Sequence, residues 1–228
     1  MLKFYFHSTP NSMKVALLLE ELQTPFELIP VDILKGEQHL AAFLTINPNA
    51  KVPALVDDEI RIFDSHAILL HLAEKHGKFL PTSSAGRAEM LSWLMFVASG
   101  LSPFSGQAVH FQHYAPEVIP YARNRYLKEV ARHYQVLDNR LASSTYLAGE
   151  DYTIADIALW GWGISAGYIF GEQGLADYPN VKRLVDTISA RSAATRAQSL
   201  KETVVVKTEF DETAHRAMFP QNFDTNPL

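Results

Sequence analysis

The chain contains no cysteine. That excludes disulfides, thiolate metal sites and any dithiol redox pair built from its own side chains. It is also short of positive charge, with 20 Lys and Arg against 25 Asp and Glu and a formal net charge of −5. A surface of that sign is a poor match to nucleic acid or to an anionic membrane. No run approaches the roughly 18 apolar residues that a membrane-spanning helix needs, and the first residues do not read as a secretion signal. The expectation is a cytoplasmic protein with no nucleic-acid and no membrane partner. What is present is ordinary globular material: 228 residues, 47% of them hydrophobic, enough for one large domain or two small ones.

One short stretch organises the rest. Ser8, Thr9, Pro10, Asn11 and Ser12 stand between an alternating strand pattern over 2–6 and an amphipathic run over 13–22. Pro10 suits a helix start, and Asn11 or Ser12 suits its cap. The first turn of a helix offers unpaired N–H groups and a partial positive charge, which together favour an anion. The expected anion is a thiolate. With no cysteine in the chain, the sulfur has to come from a bound small-molecule thiol. On spacing alone, Thr9 and Asn11 read first as a helix cap with no ligand.

The remaining pattern falls into two halves. After the first helix, 26–31 reads as a strand, 40–44 as a short helix, 52–56 and 60–63 as a hairpin, and 64–77 as a helix. The order βαβ then ββα implies a parallel first pair of strands and an antiparallel last pair. Residues 79–86 are small, polar and Pro/Gly-bearing, and read as a linker. Beyond it only helical periodicity is found: a long run over 87–111 with a kink expected at Gly100 and Pro103, then 116–141, a helix from Thr153, 180–191 and 193–200. The helix from Thr153 is apolar on nearly every side, as the centre of a bundle would be. Thr153 and Asp156 have capping-box spacing. Residues 203–228 form an extension of weak periodicity, with Phe210, Phe219 and Phe223 in position to pack on something.

Asn49, Lys51, Val52 and Pro53, then Asp64 and Ser65, then Thr153 and Asp156 occur in the order and setting found in the glutathione transferase superfamily, which the chain resembles. The resemblance implies a thioredoxin-like α/β N-terminal domain (1–78) followed by an all-α domain (87–202). A narrower resemblance, carried by Ser8 to Asn11, Lys35 to Gln38, Gly106 and Gln107, and Ile119 to Tyr126, is to the bacterial Nu class. Those enzymes are homodimers that reduce disulfides with glutathione and use a Thr and an Asn beside the sulfur. The implied sulfur ligands are Thr9 and Asn11. Tyr5, in the first strand, is the rival from other classes of the family, and Ser8 and Ser12 are nearer rivals.

The resemblance extends to the rest of the tripeptide. With Pro53 cis, the Val52 backbone would pair with the cysteinyl unit as an added strand. Ser65 and Asp64 would take the γ-glutamyl end; the family more often has Glu or Gln where Asp64 stands. Gln38 and Lys51 would take the glycine end, although Lys51 also reads as a solvated surface charge. Arg125 matches an arginine that reaches the partner subunit's glutathione, and otherwise reads as an exposed helix charge. Gln107, Phe111 and Tyr114 could line the neighbouring groove. His110 and His113 have the look of a metal pair, but without a nearby carboxylate they read as structural. No metal is expected.

The energetics are sufficient. A thiol of pKa about 8.5 needs about 2.7 kcal/mol of preferential thiolate binding to move down two units. A hydrogen bond to a charged group gives roughly 1.5–3 kcal/mol and a helix N-terminus roughly 0.3–1. No general base is required. The leading expectation is a glutathione-dependent disulfide oxidoreductase. The alternatives are a transferase that conjugates glutathione to small electrophiles, and a non-catalytic binding module of the same fold.

Overall fold

The computed structural model describes residues 1–223; the last five residues of the expected 203–228 extension lie outside the described residues. β1 (Leu2–Phe6), α1 (Pro10–Leu22) and β2 (Phe26–Pro30) form the first βαβ unit, with β1 and β2 parallel. A short helix α2 (Ala41–Leu44) leads to β3 (Ala54–Asp57) and β4 (Ile60–Phe63), an antiparallel pair, and then to α3 (Ser65–His76). The sheet order is β2-β1-β3-β4, with β1 antiparallel to β3. Leu2, Phe4 and Phe6 alternate onto the buried face, as the period of two dictates. β3 begins at Ala54, not at 52 as the sequence pattern suggested. Pro53 has no N–H to give to a ladder, and the Val52–Pro53 bond is cis.

The second half is helical: α4 (Ser84–Phe96), α5 (Ser102–Val109), α6 (Pro120–Leu141), α7 (Ile154–Gly163), α8 (Ala166–Phe170), α9 (Pro179–Ser189) and α10 (Ser192–Ser199). α4 starts at Ser84, inside the stretch read as a linker, because the Ser83 hydroxyl accepts the Gly86 N–H at 3.1 Å. The run over 87–111 is not one helix. A π-helical turn, Val97–Leu101, separates α4 from α5, and a second, His110–Tyr114, follows α5. Two causes act at the first turn. Pro103 lacks the N–H that would continue an α-helical ladder. At Gly100 a Cβ would stand 2.4 Å from His133 Nε2, so only glycine lets α6 come this close.

α7 is buried throughout and opens with the capping box. Thr153 N–H donates to Asp156 Oδ2 at 2.9 Å, and Leu147 N–H donates to Asp156 Oδ1 at 2.8 Å. α1 packs against α7, α3 and α10, and its buried residues share one core with Leu2, Phe4 and Phe6 of β1. It is therefore not the one-sided amphipathic helix its pattern suggested: Ser12 to Leu19 are all buried. α7 comes close to α1 at Gly161, where a Cβ would lie 2.4 Å from the Pro10 carbonyl and 2.5 Å from Lys14 Cγ. The extension carries one helix not foreseen from its sequence, α11 (Glu212–Met218).

Candidate active site

Thr9 caps α1 with extended backbone angles, and its Oγ1 accepts the Ser12 N–H at 3.2 Å. The Met13 N–H goes to the Thr9 carbonyl at 2.9 Å, and Pro10 has no N–H. Among the described residues that leaves the Asn11 N–H as the unpaired donor of this first turn. The Thr9 hydroxyl itself lies 3.1 Å from Ser12 Oγ. Ser12 is fully buried beneath it, whereas Ser8 is exposed.

This helix end opens onto a cavity of about 1320 Å³ between the two halves of the chain. One wall is polar: Ser8, Thr9, Asn11, Gln38, Lys51 and Val52 all line it. The facing wall is aromatic. His110, Phe111 and Tyr114 come from the second π-helical turn, Trp162 from α7, and Phe210 and Phe219 from the extension. Tyr114 packs at a tilt against Phe210 and Phe219, with ring centroids 4.9 and 5.8 Å away, and burial pushes its phenol up. His110 packs edge-on against Phe219, and His113 Nε2 lies 2.8 Å from the Tyr168 carbonyl. Among the described residues no three His, Asp or Glu side chains come together in a way that would hold a metal.

Behind Asn11 lies a residue that sequence reasoning passed over. Lys14 is fully buried, and its Nζ donates to Asn11 Oδ1 at 2.8 Å and to Ser102 Oγ at 2.9 Å. His66 Nε2 stands 3.2 Å from the same nitrogen. Burial pulls the Lys14 ammonium down to about 7, with Asp64 acting in the other direction. His66 is pulled down to about 4, first by its own burial and then by Lys14. It is neutral at pH 7, so a ring whose Nε2 accepts from Lys14 carries its proton on Nδ1. That nitrogen is 3.3 Å from Asp64 Oδ1.

Asp64 caps α3, accepting the His66 N–H at 2.8 Å and the Ala67 N–H at 3.3 Å. Its φ of +69° lies in the left-handed region that L side chains avoid, a form of strain often kept at functional sites. The hydrogen bond from His66 is the main cause that holds the Asp64 carboxyl down at about 2. Asp64 and the buried Ser65 are not on the cavity wall, but they join Asn11 through His66 and Lys14.

The expected residues thus divide. Thr9, Asn11, Gln38, Lys51 and Val52 meet at the cavity, joined there by the rival Ser8, while Pro53, Asp64 and Ser65 sit outside its lining. Tyr5 is not on the wall either; its ring packs edge-on against Phe43. Arg125 is exposed and lies 3.4 Å from Glu129, one turn along α6. Gln38 is buried, but the extension already occupies it: Gln38 Nε2 donates to the Ala217 carbonyl at 3.1 Å, and its Oε1 has no partner. The signal for Lys14 was present in the sequence. Its neighbours at i+3 and i+4 are Leu17 and Leu18, the spacing of a shared helix face.

Comparison with known proteins agrees with this architecture. The glutathione S-transferase N-terminal domain matches residues 1–74 and the corresponding C-terminal domain matches 120–192. The disulfide-bond oxidoreductase YfcG of Escherichia coli is 45% identical over 204 residues, covering 86% of this chain and 94% of that protein. The disulfide-bond oxidoreductase YghU of the same organism is 37% identical over 241 residues, covering 99% and 82%. A glutathione transferase from Burkholderia graminis, solved with two glutathione molecules bound per subunit, superposes with a TM-score of 0.81 at 35% identity, covering 87% of each chain. With a βαβ–ββα sheet, a helical second half and relatives matched over most of their length, the chain belongs to the glutathione S-transferase family of enzymes.

Proposed function

We propose that the protein is a glutathione-dependent disulfide oxidoreductase whose sulfur site is the N-terminal end of α1. The observation that carries the reading is the pair of donors at Asn11: its backbone N–H and its Nδ2 have no protein partner among the described residues and stand on the cavity wall. The Thr9 hydroxyl is the neighbouring ligand. Val52 would align the cysteinyl backbone and Lys51 the glycine carboxylate, while Gln38 would join it on release from Ala217. Asp64 and Ser65 would take the γ-glutamyl end at the margin of the cavity. The thiolate attacks one sulfur of a disulfide, a new S–S bond forms, and the other sulfur leaves as a thiolate that takes up a proton. A second glutathione thiolate then attacks the mixed disulfide, releasing the second thiol and oxidised glutathione. Two relatives named as disulfide-bond oxidoreductases support this choice.

The aromatic wall favours a second reading, conjugation, in which the same thiolate attacks a flat electrophilic carbon held against Phe111, Tyr114 and Phe219. The two separate in one assay: turnover of 2-hydroxyethyl disulfide with glutathione, run beside 1-chloro-2,4-dinitrobenzene. Strong disulfide turnover with weak arylation is the expected result. The reverse makes this a conjugating enzyme. Neither activity, together with no glutathione binding by calorimetry, makes it a binding module. The same reading places the protein in the cytoplasm as a homodimer, with Arg125 directed toward the partner's site; sedimentation of the wild type and of Arg125→Ala tests the assembly.

A further inference from the structure

We propose that Lys14 is a positioning residue for the bound thiolate: its buried ammonium turns the Asn11 amide and the Ser102 hydroxyl into donors that face the cavity. The inference rests on the glutathione reading of that cavity and deepens it.

Three observations carry it. The first is satisfaction. An ammonium has three N–H donors, and Lys14 Nζ has three acceptors in reach: Asn11 Oδ1, Ser102 Oγ and His66 Nε2. All three are neutral. The nearest carboxylate, Asp64, acts only from behind the His66 ring. A buried cation without a counter-ion in contact is costly, and an anion in the cavity on the other side of Asn11 offsets that cost.

The second is direction. An ammonium can only donate, so the Asn11 amide must turn its oxygen toward Lys14 and its Nδ2 hydrogens away, toward the cavity that Asn11 lines. Ser102 is constrained in the same way. Its Oγ accepts from Lys14 and from Trp162 Nε1, each at 2.9 Å. With both lone pairs used, the Ser102 hydrogen is left to donate, and Ser102 also lines the cavity. Both groups are held by the same nitrogen and line the same cavity.

The third is rigidity. Lys14 cannot swing out. Its stem is pressed by α7 at Gly161, and it bonds residues of α1, α3 and α5 at once. The charged or titratable groups that face it are His66 from α3 and, through that ring, Asp64.

The test is the pKa of the glutathione thiol in the complex, read from thiolate absorbance in the ultraviolet against the S-methylglutathione complex. In Lys14→Met the bound-thiol pKa is expected to rise by about one unit, a tenfold drop in the thiolate-to-thiol ratio at a given pH, while S-methylglutathione affinity stays within about twofold because that ligand has no thiolate to hold. The kcat/KM defect should shrink as pH rises toward the free thiol's own pKa, which a purely structural defect would not do. Lys14→Arg, which keeps the charge, should recover part of the loss. Ser102→Ala, a smaller change that leaves the lysine in place, should raise the thiol pKa by a fraction of that amount. It is the variant to read if Lys14→Met does not fold. Wild-type thiol pKa in Lys14→Met, or in Ser102→Ala where only that variant folds, would overturn the role of Lys14 and leave the glutathione site standing. An unshifted thiol in the wild-type complex would overturn the thiolate site itself.

Discussion

Gln38 Nε2 donates to the carbonyl of Ala217, a residue 179 positions further along the chain. The bond ties the first half's expected glycine-end ligand to the C-terminal extension. A second tie is the Lys207 N–H on Asp32 Oδ2 at 2.8 Å. The extension is therefore a wall of the site rather than a trailing segment. Removing 204–228 should raise KM for the disulfide several-fold, since Phe210 and Phe219 leave the wall. The bound-thiol pKa should stay unchanged, because Thr9, Asn11 and Lys14 make no bond to the extension among the described residues. Steady-state kinetics and the ultraviolet titration of the truncated chain check both parts.

Asn11→Ala removes the free amide donor on the cavity side. A hydrogen bond to a charged group is worth roughly 1.5–3 kcal/mol, so kcat/KM at neutral pH should fall by about 10- to 100-fold. Far-ultraviolet circular dichroism should be unchanged. Unaltered kinetics in this variant would move the sulfur contact to Thr9 or Ser8.

Asp156 holds two backbone N–H groups, from Thr153 and Leu147, in a buried setting. Alanine there leaves both without a partner, at a cost of about 2–4 kcal/mol. Thermal unfolding should report that loss with little change in the chemistry of the cavity, since Asp156 is not part of its lining.

Lys14 also makes stability depend on pH. Its ammonium is held at about 7 in the folded chain against 10.5 unfolded. Between those values the unfolded chain binds more protons, so stability from this group rises with pH. In the absence of glutathione, the wild type should gain about 2 kcal/mol relative to Lys14→Met between pH 7 and pH 9. Denaturant titrations of the two proteins at both pH values, compared as a difference, isolate this group from all others. A thiolate in the cavity favours the charged lysine and should flatten the slope.

The sequence was informative wherever one local rule decided the structure. Period two located β1, turn residues located the β3–β4 hairpin, and the Thr153–Asp156 spacing located the start of α7. It failed where two elements act on one residue. The amphipathic template gives a helix one buried face, but α1 is packed by α3, α7 and α10 at once, so Lys14 is enclosed as well. In the run over 87–111 the interruption expected at Gly100 and Pro103 is present, but its cause at Gly100, the approach of His133 from α6, depends on a contact that no local pattern shows. The aromatic extension could be recognised as a packing segment, but its place opposite Gln38 depends on contacts across almost the whole chain.

The contact at Gly161 has a consequence for how this chain can be rebuilt. The helix whose N-terminal end opens onto the cavity is clamped, near that very end, by a helix of the other half, with no room for a single added methyl group. The partners of Lys14 are split in the same way, Asn11 and His66 on one side and Ser102 on the other. The first half is thus not a transplantable cassette. A chimera that joins it to a foreign helical half would keep Thr9 and Asn11 in sequence, yet inherit a lysine with a missing acceptor and a crossing cut for another surface. Recombination within this family has to carry Gly161 and Ser102 along with the first helix, or re-cut both together.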